Sequence, residues 1–239
     1  MSMDTSMERS AFATRVDANA VTNEVDSRVV VLTQPSSAAA EQYRMLYHRI
    51  ERLRSVRPLK SLALTSALSG EGKTLTAVNL ALTAAQSNPG RKVLLLDCDL
   101  RRPKVHDYLG FRATPGLSDV LAEETTLPEA VRRFSTTKLA VLPAGKTVEE
   151  PTTLLHSPRM RQLLDLLNQH FDEMYLDAPP CLPFADAHVL ATQCQGVLMV
   201  VKAGATSQRH IAQALEHLHD APMIGCVLNE VEMTDLSYR

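Results

Sequence analysis

Six short apolar runs punctuate the second half and middle of the chain: Leu62–Thr65, Val93–Leu96, Leu139–Leu142, Met174–Leu176, Val197–Val201 and Ile224–Leu228. Each is strand-sized and apolar throughout rather than alternating, as in strands buried on both faces. Amphipathic stretches near 74–87, 152–170, 185–193 and 207–219 lie between them and read as crossover helices. Upstream, Ala40, Tyr43, Leu46, Tyr47, Ile50 and Leu53 recur at three- and four-residue spacing from Ser37 and stop before Pro58, which predicts a further helix. Strands alternating with helices predict an α/β fold, a doubly wound, mostly parallel sheet flanked by helices. Residues 1–35 are polar and aperiodic apart from Val29–Leu32. They are expected to form a flexible lead with one docking strand, leaving 36–239 as a single domain.

Composition narrows the class without changing the fold. The 239 residues are 45% hydrophobic and 22% charged, ordinary for a soluble globular chain, and the net charge is −2. No global basic field recruits nucleic acid. No apolar run approaches the ~18 residues of a membrane span, and the first residues lack the apolar region of a secretory signal. The four cysteines, Cys98, Cys181, Cys194 and Cys226, have no metal-binding spacing and read as reduced thiols of a cytoplasmic protein.

The chemistry gathers at the ends of three strands. The first strand runs into Ala67-Leu68-Ser69-Gly70-Glu71-Gly72-Lys73-Thr74, followed by a helix. This is a phosphate-binding P-loop with Ala in place of the first Gly of the strict pattern. Its two glycines let the backbone N–H groups curl around an anion, and the helix start adds its positive dipole end. Lys73 is expected to bridge the outer phosphates and Thr74 to ligate Mg²⁺. Ser69, Gly70, Glu71, Gly72, Lys73, Thr74 and Leu75 form the expected nucleotide-binding run. The second strand ends in Asp97-Cys98-Asp99-Leu100-Arg101, and residues two apart in an extended segment face the same way. Asp177 follows Met174–Leu176 in the same manner and precedes Ala178-Pro179-Pro180. Carboxylates at the carboxyl ends of parallel strands stand where such sheets open their ligand cleft, and oxygen ligation suits Mg²⁺.

These three segments together resemble the bacterial tyrosine kinases of capsule and exopolysaccharide synthesis, autokinases of the deviant Walker-type P-loop class. Further matching stretches are Pro103-Lys104-Val105-His106, Gly116 through Leu121, Leu142 through Lys146, and Ser157-Pro158-Arg159-Met160, so that the resemblance spans residues 36 to 233. It implies ATP and Mg²⁺ as cofactors. Lys73, Asp97, Asp99 and Arg101 would act in catalysis, with Asp97 as the base that takes the tyrosine proton. Thr74, Asp99 and Asp177 would hold the metal, and Asn229 would contact the adenine. It also implies tyrosine substrates, on this chain or other proteins, a homo-oligomer, and activation by a membrane-anchored polysaccharide co-polymerase. The protein would then sit in the cytoplasm, at the inner face of the membrane through that partner. Lys73→Met is expected to abolish catalysis with the fold intact.

Two departures from the family pattern stand out. The segment Leu236-Ser237-Tyr238-Arg239 offers one tyrosine where the family carries a cluster, and Tyr47 follows Glu41 and Arg44 where the family carries a second arginine for subunit contact. The sparse tyrosines motivate an alternative, a P-loop ATPase acting as a nucleotide-dependent switch or scaffold, and the missing arginine bears on ring assembly. In its partition- and division-site form a lysine occupies the second P-loop position, which here is Leu68. From Arg44 to Lys60, six Lys/Arg face one acid, Glu51, which reads as a solvated basic face or a docking face.

Overall fold

A computed structural model of the chain describes residues 20–21, 24–134 and 137–231. The strands are β1 (Ala20–Val21), β2 (Ser61–Ser66), β3 (Val93–Asp97), β4 (Arg132–Phe134), β5 (Leu139–Leu142), β6 (Glu173–Asp177), β7 (Gly196–Lys202) and β8 (Met223–Asn229). They form one sheet in the order β1-β4-β5-β3-β6-β2-β7-β8. Every pairing is parallel except β4 with β5. The six apolar runs are thus all strands, each within one or two residues of its expected limits. Apolar residues cover both faces. One core gathers Leu94, Leu96, Met174, Leu176 and Met199 under the helices Pro158–His170 and Gln208–His217. The other gathers Leu62, Leu64, Leu95 and Tyr175 under Ala38–Arg54 and Lys73–Ser87. The Lys73–Ser87 helix is lined by Ala77, Val78, Ala81 and Ala84, all fully buried, and their small side chains let it lie close over the central strands.

Three local readings change. Val29–Leu32 does not add a docking strand: Val30–Thr33 is a short helix whose Val31 is buried and whose Val31 N–H donates to Asn79 Oδ1 at 3.2 Å. The stretch 152–170 is two helices, Pro151–Leu155 and Pro158–His170. Ser157 caps the second by accepting from the Met160 N–H, and Pro158 occupies its first turn, where a missing N–H costs nothing. The three-residue strand β4 and the one-turn helices Val105–Leu109, Leu117–Leu121 and Leu127–Ala130 are too short to show a period in the sequence.

The expected subunit-contact position Tyr47 turns inward. Its hydroxyl donates to Glu173 Oε1 at 3.0 Å and accepts from Asn88 Nδ2 at 2.7 Å, while Glu41 and Arg44 pair with each other at the surface. Burial and Glu173 push the Tyr47 hydroxyl up to about 12. Arg54, one of the six basic residues, likewise enters the interior beside Glu173 and Tyr175. The basic run is therefore not a uniform solvated face. Tyr238 lies outside the described residues.

Candidate active site

The P-loop strand β2 lies between β6 and β7, so the loop leaves the middle of the sheet. Gly70 and Gly72 have φ of +85° and +89°, in the region where a side chain is strained. A Cβ on Gly72 would also stand 2.0 Å from Asn229 Nδ2. Ser69 and Gly70 are exposed at the crest of the loop, and Leu75 packs into the core behind it. Glu71 turns inward instead. One carboxylate oxygen accepts from the Leu68 N–H at 3.1 Å, the other from the Thr206 hydroxyl, and its carbonyl accepts from Asn229 Nδ2 at 3.0 Å. Glu71 and Asn229 thus brace the loop to the ends of β7 and β8.

Beside the loop, Asp97 and Asp177 stand directly opposite each other on the parallel strands β3 and β6. Lys73 reaches across to them. Its Nζ is 2.8 Å from Asp99 Oδ2, 3.4 Å from Asp177 Oδ1 and 3.2 Å from Thr74 Oγ1. Burial alone would push the Lys73 ammonium down, but Asp177 and Asp99 outweigh it and its pKa is raised. Burial and Asp177 lift Asp97 well above the ordinary carboxylate range, and burial likewise raises Asp177 against the pull of Lys73. Both shifts have one origin. Three buried carboxylates face a single buried ammonium, so the cluster carries excess negative charge in low dielectric.

The remaining lone pairs are unevenly used. Asp97 Oδ1 accepts from the Asp99 N–H at 3.2 Å, and its Oδ2 accepts from the N–H groups of Lys104 and Val105 at 3.2 and 3.1 Å. Asp177 Oδ2 is buried and has no hydrogen-bond partner among the described residues. Among the described residues no group of three Asp, Glu, His or Cys side chains is arranged to hold a metal unaided. Arg101 is held by other partners. Its Nε is 2.6 Å from Asp186 Oδ2, one Nη meets Thr152 Oγ1 at 3.0 Å, and the guanidinium lies 4.1 Å over the Phe184 ring. Cys98, between the two acids, is buried, and burial raises its thiol well above the ordinary value.

The chain as a whole has known relatives. Residues 59–222 match the AAA domain family. Over 209 residues the chain is 36% identical to the tyrosine-protein kinase YwqD of Bacillus subtilis (strain 168), and the match covers 87% of each chain. The chain belongs to the bacterial tyrosine-protein kinases. The kinase is also 32% identical over 215 residues to the succinoglycan biosynthesis transport protein ExoP of Rhizobium meliloti (strain 1021), a match that takes in 88% of this chain and 27% of that one. Its fold matches the kinase domain of the Escherichia coli tyrosine kinase ETK with a TM-score of 0.81 at 29% identity, over 88% of this chain and 82% of that one.

The kinase site brings together Lys73, Thr74, Asp97, Asp99 and Asp177 and leaves the Arg101 guanidinium bound to Asp186 and Thr152 on two neighbouring helices. Thr152, Asp186 and Thr206 escaped sequence reasoning. They touch the site through Arg101 and Glu71 and carry no motif of their own. Asp186 had one legible signal, its place in the first turn of the helix Asp186–Ala191, but that position usually marks a dipole-stabilising acid.

Proposed function

We propose that this kinase transfers the γ-phosphoryl group of ATP to tyrosine hydroxyls, its own or another protein's, in the assembly of an exopolysaccharide or capsule. The observation that carries the site assignment is the excess negative charge around Lys73, with Asp177 Oδ2 lacking a partner. An all-oxygen set with one orphaned carboxylate oxygen suits a divalent cation that completes its shell with phosphate and water oxygens. In this reading Thr74, Asp99 and Asp177 hold Mg²⁺, directly or through water. Bound Mg²⁺ would supply positive charge to the β- and γ-phosphate oxygens.

The chain's own groups do the rest. Lys73 exchanges its carboxylate partners for the outer phosphates, while the backbone of Ser69–Leu75 holds the phosphate chain in place. Asp97 accepts the proton of the incoming tyrosine, whose ordinary pKa is ≈10. Burial and Asp177 raise the proton affinity of Asp97, and the Lys104 and Val105 N–H groups fix its orientation. Arg101 acts as a positioning residue, fastening the turn after Asp97 to Asp186. Asn229, whose amide donates to the Glu71 carbonyl, is the residue that would contact the adenine.

A membrane-anchored co-polymerase as activator, a homo-oligomer and a place at the inner face of the membrane complete the proposal. What supports the partner is the contrast between ExoP, in which the matched portion is 27% of a longer chain, and YwqD, matched over 87% of its length. A related domain thus occurs both within a longer protein and nearly alone. No helix among the described residues is long and apolar enough to cross a membrane. Mass spectrometry after incubation with ATP and Mg²⁺, with and without the cytosolic tail of such a partner, tests the reading. Phosphotyrosine in higher yield with the tail is expected. ATP turnover without phosphotyrosine would leave a nucleotide switch.

A further inference from the structure

An open groove of about 610 Å³ lies at the end of the sheet opposite the nucleotide site, where β2, β6 and β7 begin. The six residues of β2 put ~20 Å between the two. One wall is the turn that follows the helix Ala38–Arg54, where Pro58 disfavours further helix at Arg57 and Val56 is 78% exposed. Four cations line the groove, Arg54, Arg57, Lys60 and Arg91, and Asp172 is the one carboxylate among its lining residues. Arg54 and Arg91 are paired with Glu51 and Glu173. Arg57 and Lys60 are not so held. Lys60 Nζ reaches only the Asn168 carbonyl, at 3.3 Å, and Arg57 Nε is shielded from solvent with no hydrogen-bond partner among the described residues. Asp172 Oδ2 already accepts from the Lys92 N–H at 2.8 Å. Gln195 Oε1 accepts from the Lys60 N–H, which leaves the Gln195 NH₂ as a further donor on the groove wall.

We propose that this groove is a second anion site, separate from the P-loop, and that it takes a small soluble phosphate monoester. A shielded Nε–H without an acceptor calls for one from outside the chain, because enclosed donors in folded proteins are almost always paired. Arginine beside lysine is the combination suited to phosphate: the guanidinium offers a fork of N–H donors and the ammonium a point charge. The phosphate of a monoester carries about −1.5 to −2 at neutral pH and three acceptor oxygens, which serve Arg57, Lys60 and the Gln195 amide. Its organic part covers Val56 and Pro58. The groove volume falls within the ~300–1,000 Å³ of small-ligand pockets, room for more than a bare phosphate. A lipid headgroup offers the same phosphate, but the exposed Asp172 beside the cations would face an anionic bilayer, so a ligand that enters singly fits better. The site needs no phosphoryl transfer.

Phosphorus NMR of phenyl phosphate tests this, titrated with the full chain carrying one equivalent of ADP and Mg²⁺ so that the P-loop is filled. Saturable binding is expected. Arg57→Ala and Lys60→Ala, each checked for unchanged melting, should weaken it ~10-fold or more, as the loss of one charged hydrogen-bonded partner provides. Lys60 is exposed, so its variant tests the site even where Arg57→Ala disturbs the turn. Arg161→Ala removes an exposed cation of the helix Pro158–His170 outside the groove and should leave the affinity unchanged. Absence of saturable binding, equal affinity in the wild type and Lys60→Ala, or an equal loss in Arg161→Ala would overturn the proposal. So would a chain that ignores phenyl phosphate yet sediments with phosphatidic acid vesicles through Arg57 and Lys60, which would make the groove a membrane contact.

Discussion

Replacing Asp177 by Asn should stabilise the nucleotide-free kinase while removing its activity. In the wild type Asp177 gains ~5 kcal/mol from Lys73 at 3.4 Å, taking an effective dielectric of ~20. Asp97, in register on the adjacent strand, takes back ~3 kcal/mol at a strand spacing of ~4.8 Å. Asp99, already paired with Lys73, adds a further repulsion of the same order. The pairwise contributions therefore nearly cancel, and the desolvation of a fully buried carboxylate, several kcal/mol, is left unopposed. Asn has the same shape without the charge, and Lys73 keeps Asp99 at 2.8 Å. The pH dependence follows from the raised proton affinity of Asp177. Above the unfolded value of ≈3.9 the folded chain retains a proton that the unfolded chain has released. Stability is then lost as pH rises through this window, by ~1.4 kcal/mol per pH unit, and stays lost above the folded value. The Asn variant escapes that loss. Thermal melts without nucleotide should place it ~2–4 °C or more above the wild type at pH 8, the equivalent of ~1 kcal/mol or more for a chain of this size. The gap should close toward pH 4. A variant that melts below the wild type at pH 8 would refute the charge-excess argument.

Lys73→Met should act in the opposite sense, abolishing phosphoryl transfer and lowering the melting temperature, because Asp97, Asp99 and Asp177 then share no cation; this replaces the expectation of an unaffected fold, and calorimetry decides it. Gly72→Ala should abolish ATP binding in a calorimetric titration, since the new Cβ meets Asn229 Nδ2 at 2.0 Å in a backbone with φ of +89°. Tyr47→Phe should cost about 1–3 kcal/mol in urea unfolding, because it takes a donor from Glu173 and an acceptor from Asn88 in the interior.

The central strands and the P-loop were legible because burial on both faces leaves uninterrupted apolar runs, and because the loop's φ > 0 positions demand glycine at fixed spacing. The three strand-end acids were legible for the same reason: an aspartate directly after Leu96 or Leu176 can only lie at the cleft edge of the sheet. What the sequence could not convey is how the side chains pair. Glu71 sits in a nucleotide-binding motif yet serves Thr206, 135 residues away. Arg101 follows the Asp97–Asp99 pair yet is bound to Asp186, 85 residues on. Tyr47 sits at helical spacing from Glu41 and Arg44, but its ring is amphipathic, and a hydroxyl able to reach Glu173 favours the interior over a subunit contact. Such long-range polar pairs leave no periodic trace. The short helices and β4 are likewise set by tertiary contacts rather than by a repeating pattern.

In the proposed function the carboxylate cluster at Lys73 is completed by a divalent cation held with the nucleotide. Electron paramagnetic resonance of Mn²⁺, titrated into the full chain with ADP, tests it most directly. One bound Mn²⁺ per chain is expected in the wild type, greatly weakened in Thr74→Ala and Asp177→Asn. Undiminished Mn²⁺ binding in Asp177→Asn, in a protein that still binds ADP, would contradict it.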